Sequence, residues 1–244
     1  MRRRKRNNGG IVVLVLLALA LIAVIMLKFV LVVRSVELEG GHSASYEEII
    51  RTAQVEFGAS IFRVDEDEIR SHLESAGRYS LEKMHKRYPS TIVLEIRERE
   101  PAAMLLQAGK ILVLDAEGYV IEALPQAPDR DLVYVSGAEP SSYRIGGVIP
   151  MSQMRIEGYV AVMQALRENS AQYVVSELKL DDAENMTIIT RTGIAVELGG
   201  KENMAQKIAW MKSAVADLEA RREYGGTLDV SSGTKADYRS ADGM

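Results

Sequence analysis

The sequence predicts an α+β fold. One N-terminal transmembrane helix leads into a β-α-α-β-β module, and a β-rich mixed domain with two helices follows and ends in an edge strand. Three observations carry this reading. A continuous apolar run occupies residues 11–33 behind a cluster of cations. Two capped amphipathic helical segments lie between alternating strands over residues 34–100. Beyond Pro101 the chain turns to short alternating segments separated by turn residues, with two stretches of helical period among them.

The N-terminal element comes first. "MRRRKR" puts five cations on six residues, "NNGG" follows, and Ile11–Val33 is apolar except for Lys28. Such a run crosses a hydrocarbon core of roughly 30 Å. Each Leu, Ile, Val or Phe contributes about −0.3 to −0.6 kcal/mol to insertion, against about +2.5 to +3.5 for one central Lys. Lys28 lies off-centre and can snorkel to the outer headgroups. A cleaved signal peptide fits less well, because its apolar region is typically only about 7–15 residues and ends at a small-residue site; here "ALA" at 18–20 lies inside the run. The expectation is a cytoplasmic basic segment over 1–10, an anchor over 11–33 in contact with lipid, and everything after Arg34 outside.

The chain carries a net charge of −4, with 30 basic and 34 acidic residues. Six of the basic residues and none of the acidic ones fall in residues 1–33, so the outer part is left at −10. A surface of that sign disfavours both nucleic acid and anionic lipid as partners. With no cysteine there is no disulfide and no thiolate nucleophile or metal ligand.

Over 34–100 the first strand is "VRSVELEGG", with Val36 and Leu38 inward. In "SASYEEIIRTAQVEFG", Ser45 and Glu48 form a capping box, with Tyr46, Ile49, Ile50, Ala53 and Phe57 on one face and Gly58 as the terminator. A second box pairs Asp65 with Glu68, Val64 staples onto Ile69, and Ile69, Leu73 and Ala76 make the apolar stripe. "RYSLEKMHKRYP" is the next strand. The last, in "RYPSTIVLEIREREPAAML", points Ile92, Leu94 and Ile96 one way and Thr91, Glu95, Arg97 and Arg99 the other, with Val93 as the exception. Pro89 belongs at its mouth and Pro101 beyond its end, so it closes the module.

Over 101–240, "AAMLLQAGKILVLDAEGYVIEAL" predicts three strands with a type I turn at Asp115–Gly118, and "DLVYVSG" a fourth. "SQMRIEGYVAVMQALRENS" is a helix with Ile156, Val160, Met163 and Leu166 inward. Strands at 174–180, 186–190 and 194–198 precede a helix over about 202–222, whose Met204, Ile208, Met211, Val215 and Leu218 step by four and three. "TLDVS" and "TKADYRS" are the last strands, and 241–244 is a tail.

Few residues invite a catalytic reading. His42, His72 and His85 lack metal-ligand spacing. "DEDE" at 65–68 lacks the spaced ligands and central glycine of a calcium loop and suits a helix N-terminus instead. Asp115, Glu117, Asp181, Asp182 and Glu184 are turn acids, and "ELGGKEN" is a strand-to-helix turn without phosphate-loop spacing. No catalytic, cofactor or metal residue is assigned, and no small-molecule substrate is expected. A binding role rests on Thr234–Arg239, where Thr234, Ala236 and Tyr238 alternate with Lys235, Asp237 and Arg239. A terminal strand at a sheet edge recruits a partner strand, unless its charges blunt it.

The basic end, single anchor, module closing on "YPSTIVLEIREREPAA", "LVLDAEGYVI" and final "LDVSSGTKADYR" resemble the FtsQ/DivIB family of bacterial division proteins. The resemblance implies that the first module is a POTRA domain and that the chain is a non-enzymatic divisome scaffold concentrated at the septum. It also implies that Thr234, Lys235, Ala236, Asp237, Tyr238 and Arg239, with the neighbouring long helix, dock FtsB/DivIC-like and FtsL-like single-pass proteins. Tyr238 would anchor, and Lys235 and Arg239 would meet acidic groups. Two alternatives stay open: an anchored wall-processing glycosidase using two acids, and a POTRA-bearing transport or chaperone component.

Overall fold

The computed structural model describes residues 9–41 and 43–241. His42, the side chain of Lys28, most of the basic segment predicted over 1–10 and residues 242–244 of the tail lie outside the described residues.

Helix α1 spans Gly9–Ile25 and runs straight into one wider π-helical stretch, Met26–Val30. Its apolar side chains are exposed on every face, from Ile11 through Leu14 and Leu17 to Ile25. At 1.5 Å per residue its 17 residues rise about 25 Å. Among the described residues no helix is long and apolar enough to cross a membrane.

The chain divides into two compact units. The first runs to Leu73 and resumes at Tyr79–Glu98; the second takes Glu74–Arg78 and everything from Arg99 on. After α1, the first unit holds β1 (Ser35–Glu39), α2 (Tyr46–Ala53), a 3₁₀ turn (Ile61–Arg63), α3 (Glu66–Ser75), β2 (Tyr79–Arg87) and β3 (Thr91–Glu98). The three strands order β1-β3-β2, with β1 parallel and β2 antiparallel to β3. The strand that closes the module in sequence is therefore central in space. Its Ile92, Leu94 and Ile96 join Val36, Ile49, Ala53, Ile61, Ile69, Leu73 and Leu81 in one core.

Two local expectations change. Helix α2 stops at Ala53, with Gln54 left-handed at φ 52°, so Gly58 is not its terminator and Phe57 is exposed, as is Tyr46. Ser45 does accept from Glu48 N at 3.2 Å, but the Glu48 carboxylate accepts the buried Tyr79 hydroxyl at 2.8 Å instead of returning to the cap. At α3, Asp65 caps by accepting from Asp67 N at 2.8 Å, while Ala76 is exposed.

The second unit is a nine-stranded mixed sheet in the order β12-β11-β10-β9-β8-β7-β4-β5-β6. Its strands are β4 (Ala103–Gln107), β5 (Lys110–Leu114), β6 (Val120–Leu124), β7 (Val133–Ser136), β8 (Val175–Lys179), β9 (Met186–Thr190), β10 (Ala195–Gly199), β11 (Thr227–Asp229) and β12 (Asp237–Arg239). Helices α4 (Gln153–Glu168) and α5 (Met204–Ala220) pack on one another. They bury Tyr159, Val162 and Leu166 from α4, and Ile208, Met211 and Val215 from α5, in the same core as Leu112, Leu114, Ile188 and Val196. Gly158 permits the close approach of α4, since a Cβ there would stand 2.7 Å from Met186 Sδ.

The main departure is Arg99. Alternation places it on a wet face, yet it is 3% exposed. Its Nη1 donates to Asp115 Oδ2 at 2.7 Å, and its guanidinium lies 3.7 Å over the Tyr119 ring. Asp115 Oδ1 accepts from Glu117 N at 3.0 Å and Tyr119 N at 2.8 Å, so the predicted turn acid is also half of a buried ion pair. Tyr159 donates to the Asp115 carbonyl at 2.6 Å from within the core. Only Arg99 Nε lacks a hydrogen-bond partner there. Burial raises the Asp115 carboxyl above its ordinary value of 3.8 despite Arg99, and lifts the Tyr159 phenol well above 10.0.

Candidate partner-binding edge

The two rims of the nine-stranded sheet differ. At the start of β6 the chain over 144–149 folds back: Gly146 N donates to Val120 O at 2.8 Å, Val120 N donates to Gly147 O at 2.9 Å, and Tyr119 bridges Val148. The opposite rim is β12, which pairs with β11 on one side only, Thr227 facing Arg239, Leu228 facing Tyr238 and Asp229 facing Asp237. Among the described residues no strand lies on its other side.

A tight connection positions β12. Asp229 Oδ1 accepts from Ser231 N at 2.9 Å and Ser231 Oγ at 2.7 Å, and these bonds hold its carboxyl below the usual 3.8. Ser232 Oγ then accepts from Thr234 N at 3.3 Å. Gly226, at φ +79°, lets the strand close, because a Cβ there would come within 2.4 Å of Arg239 O and 3.0 Å of the Tyr238 ring. A Cβ built on Gly233 would stand 3.6 Å from Asn203 Cβ at the start of α5, so the connection runs against that helix.

The six sequence-predicted residues divide. Only Asp237, Tyr238 and Arg239 are strand; Thr234, Lys235 and Ala236 belong to the approach. Asp237 and Arg239 are exposed, whereas Tyr238 is half-buried, packs with Ala236 on the unit's own core and donates its hydroxyl to Gly225 O at 3.0 Å. The aromatic ring expected to reach outward thus supports the strand from within. Lys235 Nζ lies 2.6 Å from Asp237, which raises the lysine above its usual value, and Arg239 Nη2 lies 3.1 Å from Glu197. Both cations stay largely exposed and can exchange these carboxylates for others.

Sequence reasoning passed over Trp210. It stands 39% exposed on α5 beside Asn203, Gln206, Ala209 and Ser213, over a shallow depression of about 590 Å³. The signal was present: it is the chain's one tryptophan and falls off the inward stripe Ile208–Met211–Val215. No group of side chains with metal-binding geometry occurs among the described residues. His72 Nδ1 sits 3.4 Å from the Ala53 carbonyl, and His85 is exposed on β2.

Comparison with known proteins follows the division into units. Residues 31–99 match the FtsQ-type POTRA domain, and residues 103–232 match the C-terminal domain of cell division protein FtsQ/DivIB. The chain is 24% identical to "Cell division protein FtsQ" of Syntrophotalea carbinolica over 78% of its own length and 67% of the relative's. It is 23% identical to "Cell division protein DivIB" of Clostridium tetani, over 72% of this chain and 66% of that one. With "Cell division protein FtsQ" of Corynebacterium glutamicum it shares 25% identity over 79% and 82%. The matched region thus spans about two thirds of the first two relatives. The major extracytoplasmic domain of DivIB from Geobacillus stearothermophilus superposes with a TM-score of 0.32 at 14% identity, over 51% of this chain and 97% of that one, too loosely to carry an argument. With its C-terminal model alone covering more than half of the 244 residues, the chain belongs to the FtsQ/DivIB family.

Proposed function

We propose that this chain is a non-enzymatic scaffold of the bacterial divisome that captures a neighbouring protein by strand addition at β12. The observation that supports it is the difference between the rims: β6 is bonded by its own chain at its first residue, Val120, and among the described residues no strand lies beyond β12. An open rim offers unpaired N–H and C=O groups to an incoming strand, and the flanking side chains choose the partner. A rim of three residues with two exposed charges also resists indiscriminate pairing, which favours a designated partner over aggregation. FtsB/DivIC-like proteins, with FtsL-like ones, are the partners that family membership suggests.

In this reading the helical run Gly9–Val30 holds the chain in the cytoplasmic membrane, with the basic end inside and the units over 34–100 and 101–240 outside, concentrated at the septum. Its 17 α-helical and five π-helical residues together reach about 30 Å, and residues 11–26 are apolar on every face, which suits lipid and not a protein core. Anchoring raises the effective concentration of neighbouring anchored proteins, so a short edge suffices for capture.

The test is co-purification of the full chain with the FtsB/DivIC-like protein of its own organism. Wild type should retain it, and a chain ending at Thr234 should lose it while still fractionating with membranes. Equal retention by the shortened chain would remove β12 from the interface.

A further inference from the structure

The first unit has two ends, and strand register defines them. Ser35, Arg87 and Thr91 mark one end of the sheet; Glu39, Tyr79 and Glu98 mark the other. The apolar helical run reaches the Ser35 end through residues 31–34, which are themselves bonded to it. Ile61 N donates to Leu31 O at 3.1 Å, Val33 N to Ala59 O at 2.9 Å, and Arg34 N to Ser90 O at 2.9 Å. Arg34 Nη2 also reaches back to Phe29 O at 2.7 Å.

Exposed aromatic residues gather at that same end. Phe62 is 53% and Tyr88 57% exposed, and their rings lie 5.6 Å apart. Phe29 is 65% exposed in the last helical turn, and Phe57 is 51% exposed in the loop bonded to Val33. These include all three phenylalanines of the chain, none of which serves the core. Exposed Tyr46 stands toward the far end, between Ser43, which bonds Glu98, and Glu48, which bonds Tyr79. Arg34 and Arg63, both exposed, flank the aromatic cluster.

We propose that this end of the first unit is a lipid-interface surface: Phe62 and Tyr88 enter the headgroup layer of the outer leaflet, with Phe29 below them and Arg34 and Arg63 against lipid phosphates. The proposal rests on the anchoring half of the reading above. Aromatic side chains collect where hydrocarbon meets water because their rings are apolar and polarisable while their surroundings stay wet. A unit joined to the end of an apolar helix by backbone hydrogen bonds, with no slack, has its near face within a few residues' rise of that boundary. The rings then occupy the one stratum that suits them, and Arg34 and Arg63 offer local contacts to lipid phosphates on an outer part whose overall charge is acidic. The consequence is orientational: the first unit is seated on the membrane instead of swinging from it.

The chain contains no cysteine, so single cysteines can report position in the full-length protein. R63C, Y46C and L17C, each carrying an environment-sensitive fluorophore, are reconstituted in nanodiscs containing phosphatidylglycerol, with quenchers on the headgroup or deep in the acyl chain. The label at 63 should be quenched by the headgroup probe about threefold more than the label at 46. Adding Phe62→Glu with Tyr88→Glu should bring it down to the level at 46, with the unfolding temperature unchanged because both rings are exposed. If 63 is quenched no more than 46 while 17 is quenched by the deep probe, the anchor stands and the proposal falls. If 17 is not quenched by the deep probe, the anchoring reading falls and takes the proposal with it. Shielding of 63 from aqueous iodide without quenching by lipid would mean that protein, such as a second copy, covers the surface, and would overturn the proposal as well.

Discussion

Arg99 and Asp115 meet at 2.7 Å with their side chains 2% exposed, whereas Lys235 and Asp237 meet at 2.6 Å with theirs 67% and 57% exposed. The residue types and distances are nearly the same, and the consequences are opposite. The first pair has no water to fall back on, so each charge depends on the other and on the backbone amides at 117 and 119. The second pair trades protein for water or for another partner at little cost. A buried pair fixes the geometry of the chain where the second unit begins; exposed pairs leave the terminal rim able to accept a neighbour.

The sharpest way to break the comparison is to halve the buried pair. Arg99→Ala leaves the Asp115 carboxylate uncompensated in the core and should destabilise the protein by about 3–5 kcal/mol in chemical denaturation. Replacing both partners, as Arg99→Met with Asp115→Leu, should recover much of that loss, since a well-packed apolar pair avoids the desolvation of both charges. If the single variant were as stable as wild type, the burial of the pair would have no energetic meaning.

At the rim the same operation should affect binding and spare the fold. Lys235→Glu combined with Arg239→Glu should leave the denaturation midpoint within error and weaken partner capture by about tenfold, mainly through slower association. A fallen midpoint would mean that the exposed pairs hold β12 in place and are not free for a partner.

This contrast marks where the sequence was legible. Apolar period located the long helix of the second unit, whose Met204, Ile208, Met211, Val215 and Leu218 do face inward together, while of the six residues expected in the last strand only Asp237, Tyr238 and Arg239 pair. It failed where a polar residue is buried by a partner distant in sequence. Nothing in "EIRERE" distinguishes Arg99 from Arg97, yet Arg97 pairs with Glu82 at the surface and Arg99 with Asp115 in the core. Glu48 was diverted from its capping box by Tyr79, 31 residues on, for the same reason. Tyr238 alternates as an edge residue should, but alternation does not say which face meets the core. Strand order decides that, and it comes from pairing across the whole sheet.

Tyr238→Phe tests the inward assignment on a smaller scale. Losing the hydroxyl bond to Gly225 O, with the ring kept on the core, should cost about 1 kcal/mol. Capture should stay near wild type if the ring only supports the strand. A variant of full stability that fails to capture would instead put the hydroxyl at the partner's surface.

The smallest effect separates two aspartates by sign. Burial raises the Asp115 carboxyl above 3.8, so the folded state holds that proton more tightly than the unfolded one. The associated stability is complete below 3.8 and is lost as pH rises through the raised value. Hydrogen bonds from Ser231 depress Asp229, so its contribution is present above 3.8 and is lost as pH falls through the lowered value. Asparagine at either position removes the titration. The gap in unfolding temperature between wild type and Asp115→Asn should therefore narrow as pH rises above 3.8. For Asp229→Asn the gap should narrow as pH falls below 3.8. Thermal scans across the acid range read both directly. Gaps that close on the same side for both variants would show that burial does not outweigh Arg99 at Asp115, and the distinction drawn between core pair and rim would then rest on exposure alone.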